Sequence, residues 1–329
     1  MKAFNKNILE SLAVGDALGM PTEFMSREKI KKEYGIVDHL IDPKYSLIHK
    51  DLKYSQITDD TEQNLYLIET YCTDRKITIQ NTVSSLIKWM EQTKAVEHGY
   101  IGPSSSRALK RIKEGESPEI AGMGGTTCGA PMRVIAPVLC LYDQSEEGLK
   151  KAIFNCTVPT HNTNLAMEAA MCIGFAIKAA IDGYSYDGIM CRAYEGAVTG
   201  RASSDYDYVG ASCKNKAEIL VEQIKKAKSE DEVLDIIYYL NGTTMEANDI
   251  ASAVLGIFSF AKDDVWKSIK LGASVGGDTD TIAAIAGALS CSYAKKHNIP
   301  DAILKTVVFN NNLDLNRYSD LIVHRFGEI

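Results

Sequence analysis

The sequence predicts an all-α fold, and three observations favour it. Apolar residues recur at helical spacing in segments such as 4–19, 78–92 and 165–181. Runs that alternate β-branched and polar residues before a hairpin turn are nearly absent. Neither a strand–helix–strand rhythm nor an internal repeat of about 20–50 residues is recognisable. We therefore expect one compact helical domain over residues 1–329.

The composition is that of an ordinary soluble globular protein. The 329 residues are 45% hydrophobic and 24% charged, and the formal net charge of −7 is unlike that of a basic nucleic-acid-binding surface. No apolar run reaches the ~20 residues of a membrane span. The first residues lack the apolar core of a signal peptide, and the eight cysteines show no CxxC spacing. These features predict a cytoplasmic protein without a membrane segment.

The first predicted helix, over residues 4–19, is rich in alanine and glycine and carries one acid, Asp16. A buried acid is expected to be capped or ion-paired, and direct metal binding is the alternative. Glu23 follows in a turn and, from its sequence context alone, is a surface glutamate. Residues 26–57 are polar and rich in turns, which predicts a loop that either covers a pocket or only connects two helices.

Two helix starts are unusually acidic. Gly276-Gly277-Asp278-Thr279-Asp280-Thr281 precedes a helix of small apolar residues, with Asp278 expected at the N-cap, and Thr58-Asp59-Asp60-Thr61 opens another helix. If the two starts converge, four carboxylates share one pocket and either raise each other's pKa or require a counter-ion. Such oxygen ligands suit Mg²⁺, Mn²⁺ or Ca²⁺, and this many suit two ions. Two separate caps that interact with helix dipoles are the alternative.

Two further segments are candidates for binding an anion. The glycine-rich run 121–133 presents backbone amides that can cradle phosphate, although it lacks the Gly-Lys-Ser/Thr of a Walker loop and is otherwise a flexible connector. Ser104, Ser105 and Ser106 stand at a helix start, where an N-cap is expected in preference to an anion site. Cys128 has no neighbouring base in the sequence, so it is not interpreted as a nucleophile.

Three blocks in the chain resemble the signatures of the ADP-ribosylglycohydrolase family: residues 15–24 (Gly-Asp-Ala-Leu-Gly-Met-Pro-Thr-Glu-Phe), 58–61 and 276–283. They occur in the family's order and cover nearly the whole chain. The resemblance implies an orthogonal helical bundle that hydrolyses the N- or O-glycosidic bond at the anomeric carbon of a terminal ADP-ribose. It further implies two Mg²⁺ or Mn²⁺ ions. The implied metal ligands are Thr58, Asp59, Asp60, Asp278, Asp280 and Thr281. The implied catalytic residues are Glu23, Asp59 and Asp60, with Glu23 as a mobile glutamate that either contacts a metal or activates water.

The resemblance also implies a substrate pocket. Its residues would be Gly125, Cys128, Gly129 and Met132 around the diphosphate and ribose, with His161 nearby. Thr127 stands where the family more often has glycine, which leaves the path of this loop open, and Arg133 is expected to pair either with acids or with substrate. A tyrosine of the predicted polar loop 199–215 is a candidate for stacking on adenine.

The expected partner is an ADP-ribosylated protein or small molecule, with nucleic acid expected only as an ADP-ribosylated substrate. Two other functions remain open at this point. One is a two-metal phosphoesterase acting on a nucleotide, which would use the same carboxylates. The other is a non-catalytic ADP-ribose-binding or crystallin-like relative, against which the four intact aspartates argue.

Overall fold

The all-α prediction is confirmed by the computed structural model, which describes residues 1–325. The α-helices, numbered α1 to α19 in chain order, span Lys2–Gly19, Arg27–Glu33, Asp59–Asp74, Ile79–Gln92, Ala95–His98, Pro103–Lys113, Pro118–Ala121, Gly129–Met132, Ile135–Leu139, Glu146–Thr157, Asn164–Ile181, Tyr186–Arg201, Cys213–Ile224, Glu230–Ile236, Ala247–Ala261, Val265–Ser274, Thr279–Ala294, Asp301–Asn310 and Leu315–His324. Two 3₁₀ turns, Met20–Thr22 and Pro43–Tyr45, and one π-helical turn, Ile237–Asn241, lie between them. Within residues 1–325 the β-structure is a single isolated bridge between Thr127 and Glu246.

Helices α1 and α17 form the centre of the fold and touch along their backbones. A Cβ atom added to Gly15 would lie 2.4 Å from the carbonyl oxygen of Ala283, and one added to Gly19 would lie 2.4 Å from that of Thr279. Only glycine permits this approach, because any side chain would collide with backbone that cannot yield. The contact brings the end of α1 beside the acidic start of α17.

Helix α11 is an apolar helix of 18 residues that packs in the core. It is long and apolar enough to cross a membrane, but 89% of that window is buried inside the molecule. Helix α12 lies against it, since added Cβ atoms at Gly196 and Gly200 would lie 2.4 and 2.3 Å from the carbonyl oxygens of Met171 and Met167. These glycines allow the two helices to pack closely, and α12 was not among the predicted helices.

Several predicted loops and helix ends are wrong in detail. The predicted loop 26–57 contains helix α2 and a 3₁₀ turn, and the predicted loop 199–215 is shortened by α12 and α13 to residues 202–212. Helices α10 and α16 were not predicted. The sequence predicts that the helix after Asp278 continues to His297, before Pro300. In the structure α17 ends at Ala294, because Lys295 adopts the left-handed conformation with φ 67°. Residue 326 of the predicted last helix, 316–326, lies outside the described residues.

Candidate metal centre

The start of helix α3 is capped by an acid from another helix. Both carboxylate oxygens of Asp16, in α1, accept a hydrogen bond from the amide of Thr58, at 2.9 and 3.0 Å, and Oδ1 also accepts one from its hydroxyl, at 2.8 Å. Oδ2 accepts from the amide and hydroxyl of Thr61, at 3.0 and 2.6 Å. The side chain of Asp16 therefore caps helix α3, and these hydrogen bonds satisfy the buried carboxylate. The side chain of Thr58, the N-cap residue, makes no capping hydrogen bond.

The start of helix α17 has no cap from the side chain of its N-cap residue. Asp278 occupies the N-cap position but makes no capping hydrogen bond, which corrects the role predicted for it. Gly276 and Gly277 precede it with φ values of 88° and 79°, a backbone that L side chains rarely adopt. The amide of Asp278 donates to the carbonyl oxygen of Thr243 at 2.8 Å, and the residue is buried and lines the cavity described next.

The two acidic starts converge on one cavity of ≈ 200 Å³. The hydroxyl of Thr281 donates to Oδ2 of Asp60 at 3.3 Å across 221 residues of sequence. Oxygens of Asp16, Asp60 and Asp280 lie within 4.8 Å of one another. The cavity is lined by all six residues expected to bind metal, together with Glu23, Phe24, Ile48, His49, Gly99, Tyr100, Ile101, Gly102, Pro103, Cys128 and Met245.

Burial and mutual repulsion disfavour the ionised form of these acids. Burial, with the charge of Asp280 as the next cause, raises the pKa of Asp59, Asp60 and Asp278 well above the usual range. The pKa of Asp16 rises to about 7, mainly through burial and against the hydrogen bonds from Thr61 and Thr58. The cluster is therefore ionised at neutral pH only at a large energetic cost unless positive charge is supplied.

The donor set fits divalent cations. Oδ1 of Asp60, Oδ2 of Asp278 and Oδ1 of Asp280 are buried without a hydrogen-bond partner. In the described part of the chain, none of these three carboxylates pairs with a lysine or arginine within 4.0 Å. Buried carboxylate oxygens that lack both a donor and a counter-charge are what a hard cation such as Mg²⁺, Mn²⁺ or Ca²⁺ requires.

Glu23 lies at the same cavity on a strained turn. The next residue, Phe24, has φ 59°, and its amide donates to the carbonyl oxygen of Gly277 at 2.8 Å, which fastens this turn to the start of α17. Oε2 of Glu23 is 2.5 Å from Nε2 of His49. Burial, followed by the charges of Asp280 and Asp278, raises the pKa of Glu23. Burial lowers the pKa of His49.

The glycine-rich run contacts the cavity mainly through Cys128. The amide of Cys128 donates to the carbonyl oxygen of Met245 at 2.7 Å, and Thr127 forms the isolated bridge with Glu246. Thr127 has no positive φ, so this position does not require glycine. Burial raises the pKa of the Cys128 thiol, which agrees with its exclusion as a nucleophile.

The other residues expected to bind substrate lie behind this surface. Gly125, Gly129, Met132 and His161 are not among the residues that line the cavity. His161 is fully buried, with Nε2 3.0 Å from the hydroxyl of Thr127 and Nδ1 2.7 Å from that of Thr160. These two contacts make His161 a support for the loop, and its implied position near substrate stays a prediction.

In the described residues Arg133 forms no ion pair with an acid within 4.0 Å, and its pairing with substrate stays a prediction. Its guanidinium is fully buried and donates to the hydroxyls of Thr160 and Ser105, at 2.7 and 2.8 Å. This contact also corrects the role of the serines: Gly102, and no serine, is the N-cap of α6. Of the loop tyrosines, Tyr208 lies against the glycine-rich run, with its hydroxyl 3.0 Å from the Cβ position of Gly124.

Sequence reasoning missed several residues of the cavity, among them His49, Tyr100 and Met245. Each comes from a connecting segment whose own residues carry no motif. For His49 the available signal was the position of loop 26–57 directly before an acidic helix start.

The fold and the cavity define a helical protein with a carboxylate-rich centre suited to divalent cations. Residues 6–327 match the family model described as ADP-ribosylglycohydrolase, and the chain belongs to that family. Among its relatives, the uncharacterised protein YegU of Escherichia coli K12 is 27% identical over 310 residues, which are 93% of this chain and 92% of YegU. The ADP-ribosyl-[dinitrogen reductase] glycohydrolase of Rhodospirillum rubrum is 24% identical over 96% of this chain and 94% of its own.

A solved structure supports the same fold. A chain of an ADP-ribosylglycohydrolase-related protein complex superposes with a TM-score of 0.69 at 21% identity, over 99% of this chain and 97% of the other.

Proposed function

We propose that this protein hydrolyses the N- or O-glycosidic bond at the anomeric carbon of a terminal ADP-ribose and releases ADP-ribose. One observation supports this most strongly: in a member of the ADP-ribosylglycohydrolase family, two helix starts far apart in sequence present unpartnered buried carboxylate oxygens to one cavity. A crystallin-like or purely binding relative has no need to maintain so costly a cluster.

Two divalent cations, Mg²⁺ or Mn²⁺, belong to this proposal. The residues that would hold them are Thr58, Asp59, Asp60, Asp278, Asp280 and Thr281, which all line the cavity. When bound, such ions neutralise the carboxylates, hold the ribose hydroxyls and lower the pKa of bound water. Asp16 does not need to be a ligand, because its two oxygens already accept from Thr58 and Thr61.

Glu23 is the best-placed group to take a proton from the attacking water. Its side chain lines the cavity and retains some solvent exposure, 12%, whereas Asp278 and Asp280 are almost completely buried. Asp59 and Asp60 are alternatives, although Oδ2 of Asp59 already accepts from Gln63 at 3.0 Å. Loss of the leaving group through an oxocarbenium-like state would follow, as in other glycosidases.

The diphosphate is expected where helix α6 and the glycine-rich run meet the cavity. Gly102 and Pro103, at the start of α6, line it together with Cys128. The N-terminus of a helix of this length favours an anion because its first amides are unpaired and its dipole points the right way.

The substrate is an ADP-ribosylated protein or small molecule, or an ADP-ribosylated nucleic acid. The Rhodospirillum relative is named for an ADP-ribosylated protein, dinitrogen reductase. All eight cysteines are free thiols, which agrees with a cytoplasmic location.

The test is a panel of substrates, with ADP-ribose attached to arginine, to serine, to a nucleic-acid end and to a small-molecule ester, each incubated with Mn²⁺ or Mg²⁺. Free ADP-ribose measured by liquid chromatography and mass spectrometry is the expected product. Release of AMP or phosphate instead would favour the two-metal phosphoesterase. Turnover that persists in Asp59→Asn would contradict the proposed centre, and Asp263→Asn, at an exposed aspartate, is the matched control.

A further inference from the structure

His49 is held at the cavity by residues 46–57, a segment with hydrogen bonds at both ends. Its amide donates to the hydroxyl oxygen of Ser46 at 3.1 Å. At the far end of the segment, Asn311 accepts from the amide of Ile57 at 3.1 Å and donates to the carbonyl oxygen of Ser55 at 2.8 Å. The imidazole is consequently only 5% exposed, while the neighbouring Ile48 is 49% exposed. The segment thus turns one particular side chain inward.

The imidazole contacts Glu23 and lies close to Asp280, in the first turn of α17. Nε2 of His49 is 2.5 Å from Oε2 of Glu23. One ligand atom from each of Glu23, His49 and Asp280 lies within 4.8 Å of the other two. Asp280 is 4% exposed, and its Oδ1 has no hydrogen-bond partner. A nitrogen and two carboxylates, one with an unsatisfied buried oxygen, therefore surround a single point.

We propose that His49 is a nitrogen ligand to one of the two cations, together with Asp280 and one carboxylate oxygen of Glu23, and that it makes this site select Mn²⁺ over Mg²⁺. The other oxygen of Glu23 stays free for the proton transfer of the proposed function. This inference rests on the cation centre of the proposed function. Mg²⁺ prefers an all-oxygen set and dehydrates reluctantly, whereas transition ions accept imidazole nitrogen together with carboxylate oxygen. The other site, around Asp60 and Asp278, remains all-oxygen and does not discriminate in this way.

The competing role for His49 is a purely positioning one, in which it holds Glu23 by a hydrogen bond and never contacts the ion. A positioning role would affect both cations equally, because it acts through the carboxylate alone. A ligand role affects Mn²⁺ more than Mg²⁺ and couples the nitrogen nucleus to the electron spin of Mn²⁺.

The experiment is pulsed electron paramagnetic resonance on the full-length, chelator-treated protein reloaded with Mn²⁺. We expect ¹⁴N modulation from a coordinated imidazole, and its replacement by ¹⁵N modulation when the protein is made with ¹⁵N-histidine. The modulation should vanish in His49→Gln and persist in His39→Gln, a change at a histidine whose side chain is 61% exposed. The ¹⁵N-histidine measurement uses the unmodified sequence, so its result does not depend on whether His49→Gln folds.

Calorimetric titration adds a second measurement. In His49→Gln the Kd for Mn²⁺ at this site should rise by about tenfold or more, while the Kd for Mg²⁺ changes little. Bound Mn²⁺ without nitrogen modulation, or equal weakening for both ions, would overturn the ligand role and leave the proposed function intact. Absence of any bound Mn²⁺ in the unmodified protein would overturn the ligand role and the cation centre together.

Discussion

Asp16 accepts hydrogen bonds from both the amide and the hydroxyl of Thr58, at 2.9 and 2.8 Å, so an acid of helix α1 caps helix α3. This contact links the central helix to one of the two acidic helix starts. It also orients Thr58, Asp59 and Asp60 without using any of their own oxygens as caps. The carboxylates of α3 therefore remain available to the cavity.

Asp16→Ala should destabilise the protein by about 3 kcal/mol, because the buried amides of Thr58 and Thr61 lose their acceptor. Asp16→Asn keeps one acceptor oxygen and should lose less. Chemical denaturation of the metal-free proteins measures both values. An alanine variant as stable as the unmodified protein would show that the cap contributes nothing.

Asp280→Asn should lower turnover of an ADP-ribosylated substrate by more than about 100-fold, since it removes a proposed cation ligand. The metal-free variant should be as stable as the parent or more so, because a like charge leaves a crowded cluster. Saturating Mn²⁺ at about 100 times Kd should stabilise the parent by ~2.7 kcal/mol per ion, and the variant by less. Thermal melts with and without Mn²⁺, with Asp263→Asn as control, measure these differences.

Glu23→Gln should reduce kcat by about 10²–10⁴-fold and affect the affinity for ADP-ribose much less, because a general base acts in the transition state. Single-turnover kinetics and ADP-ribose titration separate the two quantities. Equal losses in kcat and affinity would assign Glu23 to binding alone.

The metal-free protein should become less stable as the pH rises from about 4 to 8. The pKa of Asp16 is about 7 in the folded state against 3.8 for the free side chain, and the pKa values of Asp59, Asp60 and Asp278 are also raised. The folded state thus binds more protons than the unfolded one, and the stabilisation present below the unfolded pKa is lost as the pH passes the folded pKa.

Urea unfolding in the presence of a chelator, at several pH values, measures this slope. Asp59→Asn combined with Asp60→Asn should flatten it. Saturating Mn²⁺ should reverse its sign, because cation binding requires deprotonated ligands. Stability that rises steadily to pH 8 without metal would contradict the raised pKa values.

Gly19→Ala should destabilise the protein by about 1–3 kcal/mol and weaken Mn²⁺ binding as well, because its methyl group would push α1 from the start of α17. The Cβ position lies 2.4 Å from the carbonyl oxygen of Thr279. Gly188→Ala is the matched control, since it lies at a helix start and its nearest neighbour is a side-chain atom of Tyr184, 3.1 Å away. Unfolding curves and Mn²⁺ titrations of both variants make the comparison.

The helical class and the six acidic and hydroxyl residues of the proposed cation centre were predictable because their signals are local. Thr58-Asp59-Asp60-Thr61 and Asp278-Thr279-Asp280-Thr281 each combine oxygen ligands with a helix start. The helices α10, α12 and α16 were missed. For α12 the reason is that Gly196 and Gly200 weaken the local helical signal and serve packing against α11.

Three side-chain roles depended on contacts that no local pattern contains. Arg133 binds Thr160 and Ser105 instead of an acid, and His161 supports Thr127 behind the cavity. His49, which had no motif, points inward to Glu23. In each case the partner lies in another segment of the chain.

By itself, the sequence determined that this protein is helical and that two of its helices begin with clustered oxygen ligands, because periodicity and helix-start chemistry are encoded within a few neighbouring residues. Only the tertiary structure decided that these starts share one cavity, that Asp16 caps one of them and that His49 faces Glu23. The physical reason is the backbone contact of α1 with α17 at Gly15 and Gly19, which sets the distances between groups that are far apart along the chain.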